Sequence, residues 1–333
     1  MPSSPSAPPS PKIYDVLIIG GGPAGLSVAT TIVRQLLTAL VLHSHVYRTA
    51  HAEHMHGVPG FDHVDPGVFR TRAKGDLLAR YDSVAFKRAW IGKVEKLPDG
   101  LFQATDGWEN TYLGRKVVLA TGVEDVLPDI EGFAECWGRG IFHCLFCHGY
   151  EERGAESAGL LTQGAAINKA EMLTHIAHMT LQLSKKLTVY TNGTSSDDDK
   201  ANEIWTNSGI PDFEQRVTVD KRKIKEVKLV SLDTSDVLVT LEDGTEVREK
   251  FIAAAPPVRL NAAEILDALN LEMGEAGQIK TYPPFNETSV HGLFAAGDAA
   301  GDVRIIPNAI YGGSMAGGGV VMQLLAEKAK QKK

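Results

Sequence analysis

Two cysteines three residues apart, each with a histidine beside it, stand near the middle of the chain in His143-Cys144-Leu145-Phe146-Cys147-His148. A structural zinc site needs four ligands, usually two such pairs. Only Cys136 remains elsewhere, and His143, Cys144, Cys147 and His148 are too close in sequence to close a tetrahedron easily. No metal ligand set is therefore expected at this pair. An inert local pair and a redox dithiol are the other readings, and the dithiol suits the residue types better. Cys-x-x-Cys thiols often ionise easily beside a cationic histidine or a helix start. An adjacent histidine can take or give the proton during thiol exchange. Cys136, in Glu135-Cys136-Trp137-Gly138, reads as a packed residue.

A second chemical signal opens the chain. Gly20-Gly21-Gly22-Pro23-Ala24-Gly25 follows the apolar run Tyr14 to Ile19 and precedes helical spacing over Leu26 to Leu37. In G-x-G-x-x-G, the first glycine makes the tight turn. The second admits a pyrophosphate to the backbone, and the third lets helix and strand pack closely. The free N–H groups at the helix start then face the phosphates. An acidic residue normally ends the next strand and binds the ribose. Here that stretch reads Val41-Leu42-His43-Ser44, so His43 or Ser44 would have to take over. A third signal, three histidines in His51-Ala52-Glu53-His54-Met55-His56, could suit a metal, but no matching carboxylate cluster follows in sequence. A polar loop against a cofactor is the preferred reading. Asp298, after Gly297 at the end of a strand, can reach a cofactor's phosphates or sugar or simply cap the next segment.

These groups need a scaffold. The pattern predicts an α/β fold with two Rossmann-like βαβ units. Strands are expected at Leu40 to Leu42, Arg115 to Ala120, Ala158 to Thr162, Leu187 to Tyr190, Glu226 to Leu232, Val237 to Leu241, Phe251 to Pro257 and Leu293 to Asp298. Helices are expected near Lys169 to Leu183 and from about Ala309 to Lys328. The second unit is inserted into the first. The expected layout is a flexible Pro/Ser-rich tail at 1–12, a dinucleotide domain from 13–122 and 252–333, and an inserted domain at 123–251. The second nucleotide turn, Thr162 to Asn168, lacks the three-glycine spacing, and Asp197-Asp198-Asp199 in an acidic loop would repel a 2′-phosphate.

Bulk properties agree with an ordinary globular enzyme. The 333 residues are 43% hydrophobic, enough for one large or two ordinary cores. A net charge of −7 and the lack of a basic, aromatic-interleaved patch point away from nucleic acid. No apolar run approaches the roughly 18 residues of a membrane span. Three cysteines make no disulfide framework and no secretion signal is evident, which fits a cytoplasmic, reducing setting.

Taken together, GGGPAG, Ala120-Thr121-Gly122, the central CxxC and Ala295-Ala296-Gly297-Asp298 resemble the thioredoxin reductase flavoproteins over about residues 13 to 328. Longer strings are similar to a subgroup, the gliotoxin-type dithiol oxidases of fungal epidithiodiketopiperazine biosynthesis. They are VYR at 46–48, HMHG at 54–57, RKVVLATGVED at 115–125, DIEGFAECW at 129–137 and HCLFCHGYEERG at 143–154. The resemblance implies a homodimer and FAD, with the pyrophosphate cradled by Gly20, Gly22 and Gly25 and with Pro23 and Ala24 also at the cofactor. It also implies further FAD contacts from Arg48, His56, Thr121, Gly297 and Asp298. It implies that Cys144 exchanges with a small-molecule dithiol, that Cys147 faces the flavin, and that O2 takes the electrons. His148, where many reductases carry Asp, is the candidate base. An NADPH-dependent disulfide reductase is the alternative.

Overall fold

The computed structural model describes residues 12–163, 170–193, 209–261 and 263–330. The tail before Lys12, the acidic loop at 194–200, residues 164–168 of the second nucleotide turn and the last three residues lie outside these. The chain divides into two compact units. One holds the residues up to Arg48, Gly67–Glu124 and those from Leu260 onward; the other holds Thr49–Pro66 and Asp125–Arg259.

The first unit is built on β1 (Ile13–Ile19), β2 (Ala39–His43), β3 (Val84–Arg88), β4 (Ile91–Lys96), β5 (Phe102–Asp106) and β6 (Thr111–Leu119). The sheet order is β3-β2-β1-β6-β5-β4, and Leu293–Ala295 also pairs with β6. β1, β2, β3, the end of β6 and Leu293–Ala295 are mutually parallel, while β4, β5 and the start of β6 form an antiparallel meander. A parallel sheet is covered on both faces, so its central strands β1 and β2 are largely apolar. In β1, Val16 and Ile18 enter one core, with Ala29, Ile32 and Val320. Leu17 and Ile19 enter the other, with Phe102 and Ile265. Each such buried aliphatic side chain stabilises the fold by roughly 1.5–3 kcal/mol.

Helix α1 (Pro23–Val33) starts with Pro at its first turn, where no backbone N–H is needed. A long helix, Ile306–Lys330, packs along it. Gly313 and Gly317 permit the approach: a Cβ at Gly313 would lie 2.3 Å from the Ala24 carbonyl oxygen, and one at Gly317 2.8 Å from Thr31 Cβ. This helix corrects the expectation that no apolar stretch is long enough to span a membrane. By length and composition it is, with a mean hydropathy of 1.2 over 18 residues. Its apolar surface includes Ala309, Ala316, Val320 and Leu324, which are buried in the first unit's core.

The second unit carries a parallel five-stranded sheet. In sequence its strands are β7 (Ile141–Phe142), β8 (Ala155–Leu161), β9 (Ser184–Tyr190), β10 (Val217–Asp220) and β11 (Ile252–Ala254). Their order in the sheet is β10-β9-β8-β11-β7. Helix Ala170–Leu183 covers one face through Leu173 and Ala177. The antiparallel strands Ile224–Leu229, Val237–Leu241 and Glu246–Glu249 add Val227, Val237 and Val239 to the other core.

Two boundaries differ from the sequence expectation. β11 lies between β8 and β7, so the stretch from Phe251 completes the inserted sheet, and the chain returns at Leu260 rather than at 252. Thr49–Pro66 groups with the second unit, where His51 lies against Gly138 and His56 against Cys147.

Candidate functional site

In the first unit, the candidate cofactor residues gather at the C-terminal ends of the parallel strands. Ile19 of β1 is in register with Leu42 of β2 and Leu119 of β6, and Leu119 with Ala295. Gly20 to Gly25, His43, Thr121, Gly297 and Asp298 therefore follow adjacent strand ends, where open α/β sheets bind ligands. Gly20 has φ +122°, and a Cβ there would lie 2.0 Å from the Ala120 carbonyl oxygen. A Cβ at Gly25 would be as close to the Gly20 carbonyl. Gly22 differs: its Cβ would meet nothing within 4 Å. Gly22 is also the N-cap of α1 without a side-chain cap bond, which leaves backbone donors of the first turn facing open space.

The substitute for the missing acidic residue is half-buried at the end of β2. His43 Nδ1 is a buried polar atom without a hydrogen-bond partner among the described residues. Burial, then the charges of Lys74, His45 and Arg88, hold this imidazole below the usual histidine range. A neutral ring with an unused nitrogen can bond a sugar hydroxyl. Ser44 instead accepts from Val46 N–H at 3.2 Å and shapes the following loop. Arg48 Nη1 donates to Asp298 Oδ2 at 3.1 Å, and this ion pair ties the loop to the strand end that carries Asp298. The Thr121 carbonyl accepts from Asn261 Nδ2 at 3.0 Å. A bare helix start, an open Gly22 and an orphaned His43 nitrogen together fit a dinucleotide.

In the second unit, the CxxC follows the edge strand β7 at once. Cys144 and Cys147 form a disulfide, with Cα atoms 5.3 Å apart. The N–H groups of Cys147 and His148 both donate to the Cys144 carbonyl, at 3.2 and 3.0 Å, which closes the segment into one tight turn. Leu145 anchors it in the core, and Phe146 points outward, 78% exposed. Gly149 ends the turn where a Cβ would lie 2.8 Å from the Leu145 carbonyl oxygen. His148 stacks on Phe142, with ring centroids 5.0 Å apart. Burial first, and then the charge of His56, hold its imidazole below the usual histidine range. It is therefore a neutral base at pH 7. His143 lies against Trp137, with centroids 5.8 Å apart.

His56 belongs to this unit. Its Nδ1 donates to the Cys147 carbonyl at 2.7 Å, and its Nε2 lies 3.1 Å from His63 Nδ1. Glu151 Oε1 is 3.5 Å from His56 and 3.7 Å from His63. Burial pushes the Glu151 carboxyl upward, but backbone N–H groups and the two histidines outweigh it and hold it low. These residues line a cleft of about 550 Å³, together with Phe146, Tyr150 and Arg153. His63 and Glu151 did not stand out in the sequence. The positive φ of His63, +57°, is a tertiary feature with no local signature.

The comparisons with known proteins follow the same lines. The family model for pyridine nucleotide-disulphide oxidoreductases matches residues 14–167. The chain is 41% identical over 320 residues to thioredoxin reductase sirT of Leptosphaeria maculans, covering 95% of each chain. It is 42% identical over 322 residues to thioredoxin reductase tcpT of Claviceps purpurea, covering 96% of this chain and 97% of that one. The crystal structure of an oxidoreductase from Agrobacterium tumefaciens superposes with a TM-score of 0.79 at 28% identity, over 94% of this chain and 99% of that one. With this shared sequence running through both Rossmann-like units, the chain belongs to the thioredoxin reductase-like pyridine nucleotide-disulphide oxidoreductases, an oxidoreductase family that works through a flavin.

Proposed function

We propose that the protein is an FAD-dependent dithiol oxidase that closes a small-molecule dithiol, of the epidithiodiketopiperazine type, into an intramolecular disulfide. The observation that carries this reading is the Cys144–Cys147 disulfide in the same tight turn as a neutral, half-buried His148. The cleft nearby, with the exposed rings of Phe146 and Tyr150, suits a compact organic molecule.

A substrate thiolate attacks Cys144 Sγ. The Cys144–Cys147 bond breaks and Cys147 leaves as a thiolate. The second substrate thiol gives its proton to His148 and attacks the substrate sulfur of the mixed disulfide. The substrate then departs as a disulfide, and Cys144 leaves as a thiolate. Two electrons now rest on the cysteine pair. Bound FAD supplies the chemistry that accepts them and hands them to O2, giving H2O2. The rate follows the thiolate fraction and access to the Cys144 sulfur. The protein's task is to hold that sulfur accessible and to keep His148 unprotonated. The reading assigns a cytoplasmic homodimer with a small dithiol and O2 as partners.

The names of the relatives favour a rival, an NADPH-dependent disulfide reductase. Anaerobic mixing separates the two. Bleaching of the flavin by a small dithiol, with colour and H2O2 returning when oxygen enters, is the expected result. Fast bleaching by NADPH, with none by dithiol, would transfer the assignment to the reductase.

A further inference from the structure

The cluster at the mouth of the cleft gathers three possible ligand atoms, and hydrogen bonding accounts for only one of its three contacts, His56 to His63. Glu151 Oε1 sits 3.5 Å from His56 Nε2 and 3.7 Å from His63 Nδ1. Both distances exceed a hydrogen bond's usual 2.7–3.2 Å. The two imidazole nitrogens are 3.1 Å apart. Three atoms at these separations match the edges, about 3.3 Å, of a tetrahedron with zinc–ligand bonds of roughly 2.0–2.1 Å. We propose that His56, His63 and Glu151 form a three-ligand site for a divalent transition-metal ion of the zinc class, with the fourth position open to the cleft.

The surrounding structure prepares each ligand. A ligating imidazole usually donates its other N–H to a carbonyl or carboxylate, which fixes the tautomer. His56 does so through Nδ1 to the Cys147 carbonyl at 2.7 Å, so the Nε2 lone pair points at the other two groups. His63 is brought beside it by the turn from Met55 to Val64. Met55 and Val64 pair across that turn, Met55 is buried, and Gly57 N–H donates to Asp62 Oδ1 at 3.0 Å. The His63 ring is further held by stacking on His54, with centroids 4.0 Å apart. Glu151 sits on a short turn, Tyr150–Glu152, just after the CxxC, and its carboxyl is held ionised at neutral pH. Two imidazoles and one carboxylate select zinc, cobalt or nickel over magnesium or calcium, which prefer oxygen ligands. The second cysteine's carbonyl is one hydrogen bond from a proposed ligand, His56, yet the proposal does not rest on the oxidase reading.

The test uses the full-length, flavin-loaded protein without a histidine tag, kept oxidised so that Cys144 and Cys147 offer no thiolate. Zn2+ is titrated calorimetrically, and Co2+ is followed by its visible d–d bands. Saturation at one ion per chain is expected, with Zn2+ displacing Co2+. His63→Ala and Glu151→Gln change exposed groups. Each is expected to weaken binding by about tenfold or more, whether or not the variant turns over dithiol. Absence of saturable binding would overturn the proposal. So would binding that is equally tight in both variants, because the ion would then sit elsewhere.

Discussion

Cys136 and the Cys144–Cys147 pair share a residue type and little else. Cys136 is fully buried, and desolvation pushes its thiol up to about 11, so it is an inert member of the core. The pair sits half-buried on an exposed turn. Cys144→Ser and Cys147→Ser should each abolish dithiol turnover while the purified protein stays yellow, read by oxygen uptake and flavin absorbance. Normal turnover by either variant would remove the relay. His148 makes a finer prediction. Because its imidazole is held low, His148 stays available to take the substrate thiol's proton to below about pH 6.5, so the wild-type rate of anaerobic flavin reduction should fall less steeply with pH than the rate without this base. In His148→Ala that rate should drop and climb toward alkaline pH, as the substrate thiol ionises near about 8.5. Reoxidation by O2 should change less. Equal slowing of both half-reactions would take the base role from His148.

At the scale of an element, the turn from β1 into α1 separates two uses of glycine. Gly20 serves the fold: its positive φ and the Ala120 carbonyl leave no room for a side chain. Gly22 has ordinary φ and open space around a Cβ. Gly20→Ala should therefore lower stability by several kcal/mol, by the steric and backbone costs of such sites, and yield little folded protein. Gly22→Val should melt near wild type when stripped of cofactor but retain flavin poorly, which melting curves and flavin content on purification would check. The same logic applies between α1 and the C-terminal helix. Gly313→Ala forces a methyl group onto the Ala24 carbonyl and should cost about 1–3 kcal/mol, typical of an overpacked core.

For the whole molecule, acid is the informative stress. His43 and His148 both have folded values held below the ordinary one, chiefly by burial. The unfolded chain then binds more protons than the folded chain as pH falls from about 6.5. Stability should start to decline there, well before the carboxylates titrate at about pH 4. Thermal melts between pH 8 and 5 would show it, with a shallower fall in His148→Ala. A flat profile would mean that neither ring is held neutral by the fold.

Some of this protein was legible from local chain chemistry. The apolar, mostly β-branched run Val16-Leu17-Ile18-Ile19 reads as a strand covered on both sides, and GGGPAG directly after it reads as a turn into a helix. The cysteine pair three apart needs no distant partner, so its pairing is a local matter of spacing. The hairpin of β4 and β5 went unread, although Phe102–Asp106 alternates buried and half-buried residues just after Asp99-Gly100. What tertiary structure alone decided depends on contacts between segments far apart in sequence. Thr49–Pro66 joins the second unit through His51 at Gly138 and His56 at Cys147, and β11 completes its sheet by pairing with β8 and β7, all partners distant in sequence. Glu151 meets His56 and His63 only because the turn at 55–64 packs beside the CxxC, and no periodicity records where a folded loop comes to rest.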